Sequence, residues 1–570
     1  MKSWIQIAKG LTALAGGHSP RTIARGGLAA LRLLGPRGLL YRAAAAVTQR
    51  EDDERYRRLL AAADAVTAPI AVAPDAEAPL VSIVTPVFNT HPAWLERAVA
   101  SVRDQTYARW ELILSDDGST DAGTLTVLRA SSADPRVQVI RAAANGGIVA
   151  ASNAALDRAR GEFVAFLDHD DELAPEALAE IVAHLGAASG ADVVYTDEDK
   201  IDPSGRRRQA HFKPDWSPEL LDSCMYVSHF TVMRRQLVVD AGGFRAGFDG
   251  SQDYDLMLRV AERTDRVAHV PRVLYGWRMA PDSAASSQLA KPWAIRAGQR
   301  ALEEAVARRG LAASVVSAGA AGHFRVRYEI AGTPITSILT PSVLTGRAAA
   351  AIERTTGGRR LEIVTANPPA PGAPLAARLN ALARRATGDH LLFLHDDVEP
   401  CGPGWLDALI EFSQQARIGA VGPFLLRRDG TIDSAGLVLG AGGLAGHALQ
   451  GAPGWTRGHL SNALDVRNCS AVSGACLLTR RDVFERLGGF DERFGEALFA
   501  VDYGLRLREA GLRVVVTPHA RLWHGGPCRH VAAADEEDRL RARWGRSLER
   551  DPYYNPAFDR RAATFRLPVG

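Results

Sequence analysis

The feature that most limits what this chain can fold into is an internal repeat. Residues 335–530 echo residues 81–280. Phe393-Leu394-His395-Asp396-Asp397 mirrors Phe166-Leu167-Asp168-His169-Asp170, and Gly488-Gly489-Phe490 mirrors Gly242-Gly243-Phe244. Ala500-Val501-Asp502-Tyr503 mirrors Asp253-Tyr254-Asp255-Leu256. Self-similarity at this scale implies two domains of one fold. The expected division is a catalytic domain over 80–310, a linker over 311–334 and a second domain over 335–530. A basic helical extension with an Ala/Pro linker (1–79) precedes them, and a C-terminal tail (531–570) follows. At 570 residues the chain is long enough for two full α/β cores.

Within the first copy, Leu80 to Pro86 has the apolar, β-branched character of a buried strand, and Phe88-Asn89-Thr90 forms the turn after it. Trp94, Leu95, Ala98, Val99 and Val102 recur at helical spacing, which predicts a helix over Pro92 to Gln105. Trp110 to Leu114 is a second strand, ending in Ser115-Asp116-Asp117-Gly118-Ser119. Strand, helix and strand with short turns make a parallel βαβ unit. Val137 to Ile140 is a third strand. Phe163 to Glu172 then runs from an apolar half into Asp168, Asp170 and Asp171. Open α/β sheets hold their ligands at the carboxyl ends of strands. Carboxylates gathered there repel one another unless a cation sits among them, and hard oxygen ligands suit Mg²⁺ or Mn²⁺. The alternative is a solvated acidic loop. Asp192 to Tyr195 is a further strand, expected to end at Thr196-Asp197-Glu198-Asp199. Asp253 follows a glycine-containing loop and opens a helix, where it is either a dipole-favoured cap or an active-site acid. Val267 to Trp277 reads as the last strand.

The two copies differ in chemistry. The second has Ala500 in the place of Asp253 and His395 in the place of Asp168, and its second strand ends in Thr-Ala-Asn rather than Asp-Asp-Gly. Alanine accepts no proton, so the expectation is one active copy and one degenerate copy that binds, packs or shapes a groove.

Composition narrows the class. With 46% apolar and 23% charged residues the chain is globular, and a net charge of +3 gives no nucleic-acid signature. The five cysteines are scattered without a CxxC pair, which fits a reducing compartment and neither a disulfide framework nor a zinc site. No apolar run reaches membrane-spanning length. Residues 1–50 carry eight Lys/Arg and no Asp or Glu. Such a segment can lie on an anionic membrane surface, act as a transit peptide, or pack on the body as a helical appendage. The expected location is cytoplasmic, with this segment available for peripheral contact at the inner face of the membrane.

Val-Ser-Ile-Val-Thr-Pro-Val-Phe-Asn (81–89), Asp-Asp-Gly-Ser (116–119), Asp-His-Asp-Asp (168–171), Tyr-Thr-Asp-Glu-Asp (195–199) and Gln-Asp-Tyr-Asp (252–255) occur together and in order. In this the chain resembles family 2 glycosyltransferases of the GT-A fold, a Rossmann-like nucleotide-diphospho-sugar transferase fold. The resemblance is to bacterial enzymes of O-antigen and cell-surface polysaccharide assembly, and it covers both copies. It implies an inverting, metal-dependent transfer of sugar from a nucleotide-sugar to a hydroxyl of a glycan or lipid-linked acceptor. Asp116, Asp117 and Asp168 would contact the nucleotide, with Pro86, Phe88 and Asn89 lining the same pocket. Asp168 and Asp170 would hold a divalent metal (Mg²⁺ or Mn²⁺), and Asp253 would deprotonate the acceptor. Asp197, Glu198, Asp199, Gln252, Trp277 and Arg278 would serve the diphosphate or the acceptor. One departure stands out: relatives often carry His at the place of Gly276, whereas the second copy has His524 in a comparable place.

Other signals weigh less. Gly440-Ala441-Gly442 lacks the full dinucleotide fingerprint and reads as a glycine-rich loop. His519, His524 and His530 match no zinc spacing and read as structural. Arg206 to Arg208 reads as a solvated loop. Two rival functions remain: a sugar nucleotidyltransferase, and a non-catalytic scaffold for glycan assembly.

Overall fold

The computed structural model describes residues 49–61, 78–186, 190–280, 292–365, 372–495, 498–526 and 532–569. The basic segment read as membrane-seeking or as a transit peptide, up to residue 48, and the linker stretch 62–77 lie outside the described residues, as do Ala366, Asn367 and His530. Residues 49–61 form a charged helix.

The first copy builds one sheet from β1 (Val81–Val87), β2 (Trp110–Asp116), β3 (Val137–Arg141), β4 (Phe163–Phe166), β5 (Glu172–Leu173), β6 (Val193–Ile201), β7 (Arg207–His211), β8 (Thr231–Arg234) and β9 (Val267–Arg278). The order is β3-β2-β1-β4-β8-β6-β9-β5, with β7 on β6. β3, β2, β1 and β4 are parallel, so their carboxyl ends share one edge. That edge carries Pro86 to Asn89, Asp116 to Ser119 and Leu167 to Asp171. The crossover helix Pro92–Arg103 buries Leu95, Ala98, Val99 and Val102, the face its spacing predicts.

The second copy repeats the arrangement. Its strands run in the order 361–365, 336–340, 390–394, 476–480, 418–426, 513–524 and 398–400. This is the order of the first sheet without a counterpart to β3 among the described residues. Side-chain clasps repeat as well. Asn153 donates to Phe244 O and accepts from Phe244 N, and Asn380 does the same with Phe490. Arg259 joins Asp255 to Gly243 O, and Arg506 joins Asp502 to Gly489 O. Asp255 therefore corresponds to Asp502, which fixes Ala500 as the counterpart of Asp253.

A third repeated clasp yields a prediction. Gly161 and Gly388 donate to Ser82 Oγ and Ser337 Oγ. A Cβ on Gly161 would sit 2.6 Å from Leu80 O, and one on Gly388 2.7 Å from Ile335 O. Backbone cannot yield there as a flexible side chain would. Gly161→Ala and Gly388→Ala are each expected to destabilise by about 1–3 kcal/mol, as overpacking does. Denaturant unfolding of the two variants checks this; a cost near zero at either would mean that the clasp is loose.

Four segments depart from the sequence reading. β6 does not end at Tyr195 but runs on to Ile201, carrying Asp197, Glu198 and Asp199 inside the sheet. Residues 311–334 are no loose linker: Ala313–Ser317 and Phe324–Tyr328 pair as an antiparallel hairpin with Val315, Phe324, Val326 and Tyr328 buried. Tyr328 packs edge-on to Phe412, so the hairpin joins the cores of both copies. The tail is also integral. Trp544 donates to Asp502, and Tyr554, Phe558 and Phe565 form an aromatic cluster. Of the basic triplet only Arg206 stays in a solvated loop; Arg207 and Arg208 open β7 and pair with Asp199 and Asp53.

Candidate active site

At the carboxyl edge of the first sheet lies a cavity of about 1050 Å³. It is lined by Pro86, Phe88, Asn89, Asp117, Asp168, Asp170, Gln252, Asp253 and Trp277, all named from the sequence. Asp116, Asp197, Glu198, Asp199 and Arg278, named with them, are not on its lining.

Each lining group has a local cause. Asn89 sits at φ +42° and its Oδ1 accepts from Thr120 N and Asp121 N, which ties the turn after β1 to the turn after β2. Phe88 is left exposed beside it. Asp117 accepts from Gly146 N and Gly147 N at 2.8 Å each. Asp116 is buried behind it, paired with Arg141 and accepting from Ser119 N. Gln252 accepts from Gly250 N and shapes the loop that launches the helix Gln252–Ala261.

The acidic turn after β4 is built by β9. Asp168 N donates to the Tyr275 hydroxyl, which donates to Asp171 at 2.5 Å. Arg278 donates its backbone N–H to Asp171 and its Nε to Asp170 O. Burial, with Asp170 and Asp168 adding to it, pushes the Asp171 carboxyl well up. Burial also raises Asp170; His169 opposes this and the like charge of Asp168 adds to it. Asp171 is spent on structure. Asp168 and Asp170 face the cavity as hard oxygen donors whose mutual repulsion a divalent cation would relieve, so they fit Mg²⁺ or Mn²⁺.

Asp253 stands half-buried in the first turn of its helix. Burial raises its carboxyl; His229 counters this and Asp168 adds to it, so the three groups act on one another. His229 was missed from the sequence. Its Nε2 is 3.9 Å from Asp168, and its ring stacks on Tyr275 at 4.8 Å. Burial disfavours its charged form, but Glu198, Asp168 and Asp171 outweigh that and raise it to about 9. Beneath it Glu198 accepts from His211 Nδ1, Lys213 Nζ and His229 N. Burial would raise Glu198, yet Lys213, His211 and His229 hold it well below the usual carboxylate range. Asp197 accepts from His269 and Asn555, and Asp199 accepts from Tyr56 and Arg207. The acidic run of β6 is thus an internal scaffold under the cavity. No local pattern foretold this, because its partners come from five separate segments.

At Gly276 a larger residue would have to shift two flexible side chains. A Cβ there would lie 2.7 Å from Ile201 Cδ1, with Arg207 Cζ at 3.5 Å. Trp277, next to it, faces the cavity with Lys200 over its ring.

In the second copy the base position is closed. Ala500 is 1% exposed, and the neighbouring Phe499 ring packs on Phe490 at 4.8 Å. His524, read from the sequence as structural, instead gathers with His395 and Asp397, their ligand atoms within 4.8 Å of one another. Its Nδ1 contacts Asp433 at 2.8 Å.

Residues 82–241 match the model of glycosyl transferase family 2, and residues 342–547 match glycosyltransferase-like family 2. A protein of Sinorhizobium fredii, y4gI, is 39% identical over 521 residues, 84% of this chain and 57% of its own length. The O-antigen biosynthesis protein RfbC of Myxococcus xanthus is 39% identical over 523 residues, 85% of this chain and 41% of RfbC. The hyaluronan synthase of Pasteurella multocida is 29% identical over 37% of this chain and 22% of its own. The chain thus spans about half the length of the first two relatives. Among the described residues no helix is long and apolar enough to cross a membrane. With the two family matches covering more than half of its residues, one in each copy, the chain belongs to glycosyltransferase family 2 as a tandem pair of its GT-A domains.

Proposed function

We propose that the first copy is an inverting glycosyltransferase that moves a sugar from a nucleotide-diphospho-sugar to a hydroxyl of a growing cell-surface glycan. The observation that supports this is that Asp253, with its carboxyl raised by burial, lines the same cavity as Asp168, Asp170 and His229. In an inverting transfer the acceptor hydroxyl attacks the anomeric carbon on the face away from the leaving diphosphate. The base and the diphosphate-binding groups must therefore come from different segments, as the helix Gln252–Ala261 and the turn after β4 do. Asp253 takes the acceptor proton. Phe88, Asn89 and Asp117 hold the nucleotide, and His229 adds positive charge where the diphosphate departs. Asp168 and Asp170 would hold a divalent cation, which would neutralise the leaving group. The kinship with an O-antigen biosynthesis protein and a hyaluronan synthase supports a surface polysaccharide as the product.

The test is a nucleotide-sugar panel on the purified full chain with Mn²⁺, reading release of UDP, GDP or dTDP. One donor is expected to give nucleoside diphosphate. Release of pyrophosphate from a nucleoside triphosphate and a sugar 1-phosphate, supplied in a parallel assay, would identify a nucleotidyltransferase, and donor-independent silence together with no donor binding would favour a scaffold. A chelator is expected to lower release at least tenfold, with Mn²⁺ or Mg²⁺ restoring it. Chelator-resistant release would mean that His229 and backbone donors alone neutralise the diphosphate.

A further inference from the structure

We propose that Cys224, His323 and Asp465 form a zinc site that joins the two copies at the wall of the cavity. The site stands apart from the transferase reading, and neither depends on the other. Cys224 belongs to the first copy, His323 to the turn of the hairpin 313–328, and Asp465 to the second copy. Their ligand atoms, one from each residue, all lie within 4.8 Å of one another. The three side chains are buried, yet each lines the cavity.

These segments are distant in the chain and are held together by the neighbours of the three residues. Phe324 N donates to Ser223 O at 2.8 Å, and Ser223 Oγ donates to Val466 O at 3.2 Å. Ser223 thus bonds to the residue after His323 and to the residue after Asp465, and it immediately precedes Cys224. Cys224 N donates to Leu220 O and His323 N to Ala320 O, which fixes both backbones. Groups held in place beforehand lose less freedom when a ligand binds.

The spacing suits a tetrahedral ion. Cys224 Sγ lies 3.7 Å from Asp465 Oδ2, and bonds of ordinary zinc length put sulfur and oxygen about 3.6 Å apart. His323 Nδ1 lies 2.9 Å from the same oxygen, a gap that opens to about 3.4 Å when the ion replaces their hydrogen bond. Three protein ligands leave a fourth position, which water from the cavity can take. Sulfur and nitrogen among the donors favour zinc. Mg²⁺ and Mn²⁺ suit the oxygens of Asp168 and Asp170 instead.

Burial, with Asp465 beside it, pushes the Cys224 thiol well up, so without a metal it keeps its proton. Binding of Zn²⁺ forms a Zn–S bond and releases that proton to water. The imidazole binds through Nδ1 and carries its own proton on Nε2. Thiolate and carboxylate then cancel the two charges of the ion, so no buried charge is left uncompensated. A cysteine nucleophile is the other use such groups could have. It would need the imidazole bonded to its sulfur, whereas thiol and imidazole both meet the carboxylate.

The experiment uses the full chain, stripped with a chelator and then titrated with Zn²⁺ or Co²⁺. Cobalt bound to a thiolate gives a near-ultraviolet charge-transfer band, which the sulfur-free group of His395, Asp397 and His524 does not give. The band is expected in the wild type. Zn²⁺ is expected to release protons and to raise the melting temperature. Cys224→Ser is expected to abolish the band and to lose one Zn²⁺ per chain. Asp465→Asn and His323→Gln are each expected to weaken Zn²⁺ binding at least tenfold. Serine keeps a hydroxyl to donate to Asp465, so the metal-free melting temperature of Cys224→Ser should match the wild type. The wild-type spectrum tests the site without any variant. The proposal is overturned if the wild type gives no band, if the band survives Cys224→Ser and so belongs to another thiol such as the exposed Cys401, or if Asp465→Asn and His323→Gln bind Zn²⁺ as tightly as the wild type.

Discussion

Asp253→Asn is expected to cut transfer by about 10²–10⁴-fold, the range a positioned general base contributes. The donor Kd should stay within about twofold, a match to the wild type that the general-base reading requires. The amide keeps the size of the side chain and its place in the first helical turn, but it accepts no proton. Burial raises the wild-type carboxyl, so the folded protein favours its protonated form. Two consequences follow in sign. Activity should fall as pH drops through an apparent pKa above the usual carboxylate range, because the base must be ionised to work. Stability should fall, not rise, as pH climbs through that same value, because the ionised form is the disfavoured one in the fold. Asp253→Asn removes that penalty, so its melting temperature at neutral pH should equal or exceed the wild type. Active sites commonly trade stability for function in this way. Nucleoside diphosphate release, donor titration and thermal unfolding of one preparation check all three. Loss of donor binding in step with transfer would make Asp253 a structural residue.

The parts of this molecule that were legible in the sequence are those written in contiguous residues. The repeat, the parallel strands of the first sheet, the acidic turn after β4 and Asp253 each announce themselves within a dozen positions, through apolar periodicity or through a cluster of like charges. What was not legible depends on contacts distant in the chain. The acids of β6 read as the end of a strand because isolated charges do not enter sheets. They are buried because Tyr56, Arg207, His211, Lys213, His269 and Asn555 come to meet them from elsewhere. The hairpin at 313–328 was passed over as a linker although Val315, Phe324, Val326 and Tyr328 alternate as a strand pair should. Here the signal was present, and the glycines around it masked it. Gly276 looked like a defect in a motif, whereas the fold leaves little space for a side chain there and places His229 near the acids instead.

The second large effect is expected at Glu198, which is buried and does not line the cavity. Its carboxylate is 1% exposed and accepts from Lys213, itself 1% exposed, as well as from His211 and His229. Among the described residues Lys213 Nζ has only Glu198 as a counter-ion at hydrogen-bond distance, and its other acceptors are the carbonyls of Val227 and His229. Burial already lowers the Lys213 pKa, with Glu198 and Asp197 opposing it. Glu198→Ala leaves that ammonium buried and unpaired, and breaking a buried pair from one side costs about 3–5 kcal/mol. Removing both charges is a different matter. Glu198→Leu with Lys213→Met substitutes apolar groups of similar size, and such replacements of buried pairs are often neutral. The double variant should therefore recover most of the stability lost by the single one. It should not recover transfer, because His229 takes its hydrogen-bonding partner and much of its positive character from Glu198. Wild-type Glu198 is held below the usual carboxylate range, so its contribution is present above that range and is lost as pH falls through its folded value. Denaturant unfolding of the single and double variants, run beside the donor assay, separates the two roles. A single variant that costs under about 1 kcal/mol would show that Lys213 sheds its proton instead of standing unpaired. A double variant that transfers normally would show that His229 needs no acid beneath it to meet the diphosphate.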